Sequence, residues 1–562
     1  MFKAVDDKVE RFEFSVICHV AEVDHLNLEF LDDLENVGLR KVLHRFLKEL
    51  NQAVGIKFEF FLLHIDGAIL KLGCKDTNIF VTNTFFFCIF ANSKLKIKKA
   101  MFSKETYIAR REQLRKDVGH GLIIIQGNHE APCNYPDNTY WFRQDSTFLY
   151  FFGLQREDLV GVLDCESGKD YVFANDYDID DVIWSGPLPS VKELAASVGV
   201  ANSGDLCALQ TLCTKTIGEA RKIHYLPPYR ADNTRQMSQL LGIKFDAVTR
   251  YASMELVMAC IKQRSIKSDE EIAEIEKAIA TAYNMHTCAM KMAMPGRYEY
   301  ELAGIMEGEA WKGNGPVSFP IIMTVHGETL HLHGHNNKLE VGRMLVMDAG
   351  CETAMNYCSD ITRSVPVGGK FNDRQRTIYE IVLAAQMECL KLSRPGITYK
   401  EVHTAISKVL AQGYKDLGIL KGNVDDIVAN GAHSLLMPHG LGHMMGLDVH
   451  DMENYGQIYV GYDDETRPSN QFGLASLRCG RKLQTGFVVT DEPGCYFIPA
   501  LIDKWHAEGT NKDFVNFDEL EKWKDFGGIR IEDDVLITED GCRVLGKPIP
   551  KTVKEIEETM AS

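Results

Sequence analysis

The sequence has no C-x-x-C pair, although it contains 15 cysteines among its 562 residues. Cysteines scattered in this way indicate neither a disulfide framework nor a zinc ribbon. An odd number of cysteines is typical of a reducing compartment. The N-terminus, which begins Met1-Phe2-Lys3, has no apolar segment behind a basic start, so no secretory signal is predicted. We therefore expect a cytoplasmic protein.

Long apolar runs and positive charge are also scarce. The longest apolar run, from Ile79 to Ala91, is interrupted by Thr and Asn and is too short to span a bilayer, so no membrane association is expected. The net charge of −17 argues against a nucleic-acid partner. The 45% hydrophobic and 25% charged residues are typical of a soluble globular protein, and the length predicts two domains with an additional segment.

Residues 1–100 differ in pattern from the rest of the chain. They carry helical signals at 29–54, phenylalanine-rich stretches and a basic run from Lys94 to Lys99, without a cluster of chemically active side chains. A well-formed helix start follows Met101. We expect residues 1–100 to be an extension of uncertain order with no assigned function. A separate small module, or sequence translated upstream of a natural start at Met101, are the alternatives.

Between residues 101 and 262, short apolar runs alternate with helical patterns. Runs of four to six apolar residues bounded by Gly, Asn or Asp are typical of buried strands. Their alternation with helices predicts an α/β domain. The expected strands are 122–125, 148–152, 159–163 and 171–174, and the expected helices are 190–199 and 234–242.

A capped helix opens the second domain, which we place at residues 263–550. Ser268 and Glu271 have the spacing of a capping box, and apolar residues from Ile272 to Ala282 recur at helical spacing. Helices mixed with strands predict an α+β domain, and residues 551–562 are expected to form a C-terminal tail. The expected helices are 268–293, 298–312, 373–392 and 399–415, and the expected strands are 319–325, 343–348, 361–367, 486–492 and 529–537.

Several acidic residues lie at the ends or on one face of these expected strands. Asp348 ends one apolar run and Asp360 begins the next, so a hairpin would bring the two carboxylates together. Glu492 ends another run. Arg530 and Glu532 are two positions apart on an expected strand and face the same side. An arginine in that position can hold a metal-binding carboxylate ionised and oriented.

Two further acids, Asp533 and Asp534, are alternatives to Glu532 as the acid that this strand contributes to the site. Asp533 is expected to point to the opposite side of the strand, whereas Asp534 could share the face of Glu532. Each acid by itself is equally compatible with a surface charge or a turn residue. Only the joint placement of the acids at strand ends and faces favours a site.

Three histidines lie within twelve residues at His439, His443 and His450, interleaved with glycines that make a continuous helix doubtful. Four carboxylates and one histidine can hold two divalent ions with a net charge near zero. Oxygen-rich ligation with a single imidazole suits a site for Mn²⁺, Co²⁺, Zn²⁺ or Fe²⁺ better than it suits a structural zinc site, which is typically built from thiolates. Two such ions together predict a hydrolytic centre.

These motifs resemble the proline-specific members of the pita-bread metallopeptidase family, the aminopeptidase P and prolidase group, over residues 101–550. The matching motifs are D-A-G from Asp348, D-I-T-R from Asp360, H-G-L-G-H from His439 with V-H-D from Val449, D-E-P-G from Asp491, and G-I-R-I-E-D-D from Gly528. The resemblance implies a creatinase-like N-terminal domain in front of a pita-bread catalytic domain. It also implies two metal ions, with Mn²⁺ the expected species, and a homo-oligomer of two or more subunits.

The resemblance further implies which residues form the site. The five implied ligands of the two ions are Asp348, Asp360, His443, Glu492 and Glu532. Glu492 would also move a proton from the attacking water to the leaving nitrogen. His331, His439 and His450 would handle the substrate. His333 and His335 lie close enough in sequence to compete with His331.

The implied activity is that of an Xaa-Pro aminopeptidase, in which water activated by the two ions attacks the Xaa–Pro bond and releases one N-terminal residue. An Xaa-Pro dipeptidase is the first alternative, and it needs a positive group to hold the substrate carboxylate. A non-catalytic protein that binds peptides is the other alternative.

Two departures from the family pattern concern the surroundings of the site. Asp348 and Asp360 are twelve positions apart, one more than the eleven associated with many relatives, which implies a longer hairpin turn. The stretches 454–484 and 497–527 are longer than in compact relatives, and they are expected to shape the substrate cleft or to form surface loops.

Overall fold

The computed structural model describes three strands within residues 1–100 and the whole of residues 101–562. The chain divides into two compact units at Ala100/Met101. In the first unit the described strands form an antiparallel sheet in the order β1-β2-β3. These strands are Phe58–Phe60 (β1), Leu70–Cys74 (β2) and Thr77–Val81 (β3). The helical signals at 29–54 lie outside the described residues.

The second unit begins with a five-stranded mixed sheet. Its strand order is β10-β4-β7-β8-β9, with the two edge strands parallel to their neighbours and the central pairs antiparallel. The strands are Leu122–Gln126 (β4), Val160–Asp164 (β7), Asp170–Phe173 (β8), Asn202–Gly204 (β9) and Ile223–Tyr225 (β10), and a separate hairpin is formed by Pro132–Tyr135 (β5) and Asn138–Thr139 (β6).

Helices accompany this sheet, as the alternating pattern predicts. The expected helices at 190–199 and 234–242 are present with slightly different ends. The helices are Lys104–Val118 (α1), Ser146–Phe152 (α2), Ile179–Ser185 (α3), Val191–Ser197 (α4), Leu206–Gly218 (α5), Ala231–Leu241 (α6) and Met254–Ser265 (α7). Helix α7 spans the domain boundary that we place at 262/263.

The strand expected at 148–152 is wrong, because this segment is helix α2. The side chain of Asp145 caps the helix by accepting a hydrogen bond from the backbone N–H of Phe148 (2.9 Å). Gly153 ends it in the left-handed conformation at φ 64°. Every residue of the helix is buried, so no polar face reveals a helical period and the run looks like a buried strand.

The remainder of the second unit combines long helices with short sheets. Ser268 and Glu271 form the predicted capping box at the start of a long helix. The helices are Asp269–Met292 (α8), Glu299–Lys312 (α9), Asp373–Leu392 (α10), Tyr399–Asp416 (α11), Val424–Ala429 (α12), Gln457–Val460 (α13), Pro499–Glu508 (α14), Phe517–Leu520 (α15) and Val553–Ala561 (α16).

Eight strands of this region form three small antiparallel sheets, in the orders β11-β12-β13, β14-β17-β18 and β15-β16. The strands are Ile322–Thr324 (β11), Met344–Asp348 (β12), Thr362–Pro366 (β13), Val488–Asp491 (β14), Gly494–Tyr496 (β15), Gly528–Arg530 (β16), Asp533–Ile537 (β17) and Cys542–Val544 (β18). The single strand expected at 529–537 is therefore two strands that belong to different sheets.

The expected C-terminal tail also has regular structure. Helix α16 buries Val553, Ile556 and Met560, which makes it part of the packed core rather than a free tail. The two long stretches near the site contain short helices, α13 in the first and α14 and α15 in the second. Among the described residues, no helix is long and apolar enough to cross a membrane.

Candidate metal centre

Strands β12 and β13 bring the first two acids together. They pair antiparallel with Asp348 opposite Thr362, which confirms the predicted hairpin. Gly350 permits the tight return of the chain, because a Cβ atom there would lie 1.7 Å from the carbonyl oxygen of Ser359. Asp348 and Asp360 are both buried at the base of this turn.

The two carboxylates differ in their partners. Arg530 Nη2 donates to Asp348 Oδ2 (2.6 Å), whereas Asp348 Oδ1 is buried without a hydrogen-bond partner. Burial, together with the negative charge of Asp348, raises the pKa of Asp360 to about 8. Among the described residues, no Arg or Lys forms a salt bridge with Asp360, so a charge on this buried carboxyl group has no protein cation paired with it.

Glu492 and Glu532 come from neighbouring strand ends. Glu492 directly follows β14, and its backbone N–H donates to the carbonyl of Leu441 (2.9 Å). Glu532 lies in the break between β16 and β17, where it forms a β-bridge with Thr362. Thr362 Oγ1 donates to Glu532 Oε2 (2.6 Å). Burial and the neighbouring carboxylates raise the pKa of Glu532, and burial is also the main cause of the raised pKa of Glu492.

A non-helical loop carries His443 to these acids. Gly442 lies against strand β14, where a Cβ atom would come within 2.0 Å of the Thr490 carbonyl oxygen, so glycine is required for this approach. His443 Nδ1 is 3.0 Å from the Met444 carbonyl and must donate to it. The other ring nitrogen, Nε2, faces the acids, and it lies 3.4 Å from Asp360 Oδ2 and 3.7 Å from Glu492 Oε1.

The donor set fits divalent cations. Ligand atoms of Asp360, His443 and Glu532 all lie within 4.8 Å of one another, and all three residues are buried. Asp348 and Glu492 adjoin this group through the contacts and charges described above. Buried carboxylates of raised pKa, an unpaired carboxylate oxygen and an imidazole nitrogen facing them are satisfied together by positive ions.

Asp533 and Asp534 occupy the faces that strand alternation predicts. Asp533 points away from the centre and pairs with Arg363 (2.6 Å) and Lys551 (2.7 Å). Asp534 points inward, and its Oδ2 accepts a hydrogen bond from the backbone N–H of Asp360 (3.0 Å). Asp534 thus holds the backbone of a predicted ligand.

A hydrogen-bonded chain connects Arg530 to His439. Arg530 Nη1 donates to the hydroxyl oxygen of Tyr496 (2.9 Å), and the Tyr496 hydroxyl in turn donates to His439 Nε2 (2.9 Å). Burial, followed by the charge of Arg530, lowers the pKa of His439 to about 3, so this imidazole is neutral. Tyr496 was not predicted from the sequence, because an aromatic residue in a buried strand carries no sign of this contact.

His450 and His331 lie at the margin of the centre. The rings of His443 and His450 are 4.1 Å apart, and His450 Nδ1 lies 3.4 Å from Glu453 Oε2. His331 lies in the connection between β11 and β12. Burial, followed by the charge of Arg530, lowers the pKa of His331, while Asp348 opposes this change.

Comparison with known families assigns both parts of the second unit. The family model described as metallopeptidase family M24 matches residues 273–539. The model described as aminopeptidase P, N-terminal domain, matches residues 107–224. The first match includes the acid cluster, and the second includes the five-stranded mixed sheet except for the last residue of β10.

Curated relatives and solved structures agree with the family models. The chain is 30% identical to Xaa-Pro dipeptidase of Homo sapiens over 84% of this chain and 95% of the relative. It is 32% identical to the probable Xaa-Pro aminopeptidase pepP of Aspergillus clavatus, over 81% and 96%. Zinc-substituted aminopeptidase P of E. coli, in complex with product, superposes with a TM-score of 0.68 at 29% identity, covering 82% of this chain and 99% of that chain. Aminopeptidase PepP of Pseudomonas aeruginosa gives the same TM-score at 27% identity, covering 82% and 98%.

Proposed function

Because the chain belongs to metallopeptidase family M24, we propose that it removes the N-terminal residue from peptides whose second residue is proline. The fold class expected from the sequence, a creatinase-like α/β domain followed by an α+β pita-bread domain, is confirmed. The observation that carries the proposal is the buried convergence of Asp360, His443 and Glu532, with Asp348 and Glu492 beside them.

These five residues are the proposed ligands of two divalent ions, for which Mn²⁺ is the preferred candidate because the donor set is rich in oxygen. When bound, such ions lower the pKa of water and polarise a carbonyl group. Arg530 fixes the orientation of Asp348 through the 2.6 Å contact. Thr362 and Met444 orient Glu532 and His443 in the same way.

Glu492 is placed to transfer protons. The side chain of Glu492 is 19% exposed. The side chains of its neighbours Asp348, Asp360 and His443 are only 3–10% exposed, so Glu492 is the most accessible of these residues. A carboxylate of raised pKa at the open side of the centre can accept a proton from water and pass it to the leaving nitrogen. We assign Glu492 both this role and metal binding.

The histidines are the proposed contacts to the substrate. An Xaa–Pro bond has no N–H group, so an enzyme that acts on it must recognise the ring and the carbonyl oxygens instead. His450 and His331 can donate to a carbonyl oxygen on which negative charge develops. His439 is neutral and held by Tyr496, so its role is to position the bound peptide.

A panel of peptides in Mn²⁺ tests the proposal. We expect an Xaa-Pro-Xaa tripeptide to lose one N-terminal residue, and the same peptide with Ala in the second position to be a much poorer substrate. Chelation should abolish the activity and Mn²⁺ should restore it. Equal cleavage of the Pro and Ala peptides would contradict the proline specificity, and full activity in chelator would contradict the metal centre.

Xaa-Pro dipeptidase is the second candidate, and the structure contains a residue that favours it. Arg478 Nη1 donates to Glu453 Oε2 (2.6 Å), the same oxygen that lies 3.4 Å from His450 Nδ1. Arg478 belongs to the long stretch 454–484 and lies beside a proposed substrate contact. It is therefore positioned as the positive group that a dipeptidase needs to bind the free carboxylate of its substrate.

Substitution of Arg478 distinguishes the two candidates. If the chain is a dipeptidase, Arg478→Met should raise the KM for an Xaa-Pro dipeptide strongly and change the KM for a tripeptide little. Arg467→Met is the matched control, because Arg467 lies in the same stretch and pairs only with Asp464 among the described residues that form salt bridges. Cleavage of tripeptides alone by the unmodified protein would exclude the dipeptidase.

The proposal includes a homo-oligomer located in the cytoplasm. Helix α3 exposes Ile179, Ile183 and Trp184, the last with 88% of its surface exposed, and an apolar patch of this kind is typically covered by another subunit. Cysteines from Cys133 to Cys542 are free thiols, in keeping with a reducing compartment. Light scattering of Trp184→Ser tests the subunit contact, and a mass unchanged from that of the unmodified protein would place the contact elsewhere.

A further inference from the structure

Arg143 contacts both chain segments that carry the metal centre, although it belongs to the N-terminal part of the second unit. Its Nε donates to Glu352 Oε1 (2.9 Å), and Glu352 lies in the turn between Asp348 and Asp360. Its Nη2 donates to the carbonyl of Leu447 (2.6 Å), four residues beyond His443. One guanidinium group therefore connects the hairpin that carries Asp348 and Asp360 to the loop that carries His443, which we call the histidine loop.

The hairpin turn is held at a second point by the same domain. Asn356 Nδ2 donates to the other oxygen of Glu352, and Gln155 Nε2 donates to Asn356 Oδ1. Asn356 lies in the left-handed conformation at φ 62° and is buried, which fixes the shape of the turn. The longer turn predicted from the twelve-residue spacing is thus held in place by hydrogen bonds from Arg143 and Gln155.

The histidine loop is held by residues that flank Arg143 in sequence. Ser146 Oγ donates to Asp448 Oδ1 (2.6 Å), and Thr147 Oγ1 accepts from Arg264 Nη1 (2.8 Å). Arg264 Nη2 in turn donates to the buried carboxylate of Asp451 (2.7 Å). Arg143 is the member of this group that reaches the loop and the hairpin at once.

We propose that Arg143 is a positioning residue that sets the separation of Asp348 and Asp360 from His443, and with it the affinity of the metal centre. None of the described hydrogen bonds and salt bridges of Arg143 is to a proposed metal ligand. Arginine is suited to the task because a planar guanidinium donates in fixed directions from different nitrogens, whereas the ammonium group of lysine is a single compact donor. The inference rests on the proposed metal centre.

The hairpin and the loop remain in contact without Arg143. The backbone N–H of Cys358 donates to the carbonyl of Gly446 (2.9 Å), so loss of the guanidinium loosens the arrangement without separating the segments. Residues that orient metal ligands from outside the ligand set typically change metal affinity by about 10–100-fold when they are replaced. We expect Arg143→Met to weaken Mn²⁺ binding by about that factor.

Calorimetric titration of the metal-free full chain with Mn²⁺, alongside thermal melting of the same samples, tests the inference. Arg156→Met is the matched control. Arg156 belongs to the same domain and is more buried than Arg143, whose side chain is 27% exposed. The Arg156 guanidinium donates to the Asn175 carbonyl and lies over the Tyr177 ring, and it forms no described hydrogen bond with either segment. We expect Arg143→Met to lose Mn²⁺ affinity beyond any change in melting temperature, and Arg156→Met to melt lower with Mn²⁺ affinity unchanged.

Two further variants define the connection. Arg143→Lys should recover only a small part of the affinity, and Glu352→Gln should weaken Mn²⁺ binding less when it is added to Arg143→Met than when it is made alone. Equal Mn²⁺ affinity in Arg143→Met and the unmodified chain would overturn the inference while leaving the proposed function intact. Failure of the unmodified chain to bind Mn²⁺ would overturn both.

Discussion

The second unit contains two groups of buried acids, which differ in their cationic partners and in the direction in which their pKa values are shifted. Asp451 contacts both Arg264 (2.7 Å) and Lys267 (3.0 Å), and Asp533 contacts both Arg363 and Lys551. Burial acts to raise the pKa of Asp451 and of Asp533, but the paired cations outweigh it and both pKa values are lowered. We call these two residues the paired acids.

Of the four acids of the candidate metal centre, only Asp348 has an Arg or Lys partner among the described residues. Asp348, Asp360, Glu492 and Glu532 lie close enough for their charges to act on one another, and Arg530 forms a salt bridge with Asp348 alone among them. The pKa values of Asp360, Glu492 and Glu532 are raised accordingly. Burying a carboxylate is unfavourable unless a cation accompanies it. The protein supplies that cation at the paired acids, whereas among the described residues no Arg or Lys is paired with Asp360, Glu492 or Glu532.

Replacement of Asp360 should have the largest effect on function and a small effect on folding. Asp360→Asn removes a proposed ligand, and we expect turnover in Mn²⁺ to fall by more than about 100-fold, beyond the range for residues that only orient ligands. The metal-free variant should be at least as stable as the unmodified chain, because an amide removes the free-energy cost of keeping Asp360 protonated or of burying its charge. Peptide hydrolysis and denaturant unfolding measure the two effects.

Glu492→Ala provides the companion measurement. It should abolish turnover with the fold intact, since Glu492 is assigned both metal binding and proton transfer. Near-normal activity of this variant in saturating Mn²⁺ would remove both assignments. A metal-free Asp360→Asn that is much less stable than the unmodified chain would contradict the contrast between the two groups of acids.

Replacement of a paired acid should have the reverse outcome. Asp451→Ala leaves Arg264 and Lys267 buried without their partner, and breaking a buried ion pair in this way typically costs about 3–5 kcal/mol of unfolding free energy. We expect that loss in denaturant unfolding of the metal-free chain. Asp464→Ala is the control, because Asp464 is fully exposed in its salt bridge with Arg467. Equal stability of the two variants would contradict the structural role of the paired acids.

The stability of the metal-free protein should depend on pH through both groups of acids. The pKa of Asp360 is raised from 3.8 to about 8, so the folded state holds a proton that the unfolded state releases between these values. Its contribution to stability is therefore lost as the pH rises from about 4 to about 8. The paired acids have lowered pKa values, so their contribution is present above pH 4 and is lost on further acidification.

Thermal melting of the chelator-treated chain between pH 4 and pH 9 measures this dependence. Asp360→Asn should reduce the decline of melting temperature on the alkaline side and leave the acid side unchanged. An unaltered decline in this variant would show that other groups control it. Addition of Mn²⁺ should stabilise the chain most where Asp360 is already ionised, because metal binding must otherwise displace a proton.

The sequence predicts the local part of this arrangement well. Asp348 ends an apolar run and is followed by glycine, so its position at the end of a strand depends only on neighbouring residues. Strand alternation likewise predicts that Asp533 and Asp534 face opposite sides, as the structure shows. The prediction fails at 148–152, where a fully buried helix has the composition of a strand, and at 529–537, where tertiary pairing breaks one strand into two.

The connections between distant segments are the part that the sequence does not predict. Arg143 lies 209 positions from Glu352 and 304 positions from Leu447, and Arg530 lies 34 positions from Tyr496. An arginine or tyrosine in a mixed pattern carries no indication of which remote partner it meets. These contacts decide whether a buried acid is paired or left for a metal, so that distinction becomes visible only in the folded chain.

Removal of residues 1–100 should have the smallest effect. Both groups of acids, and the cations that pair with them, lie between Arg264 and Lys551, within the compact unit that begins at Met101. Helix α1 begins shortly after Met101 and is capped by Ser103, so the new N-terminus needs no residue before it for this helix to form. We expect a chain that starts at Met101 to fold, bind Mn²⁺ and cleave Xaa-Pro peptides at roughly the same rate, within the scatter expected when no site residue is changed. Titration with Mn²⁺, peptide hydrolysis and thermal melting of the two chains make the comparison. A shortened chain that stays soluble but loses activity would show that residues 1–100 contribute to the site. The two groups of acids would then not account for the whole site.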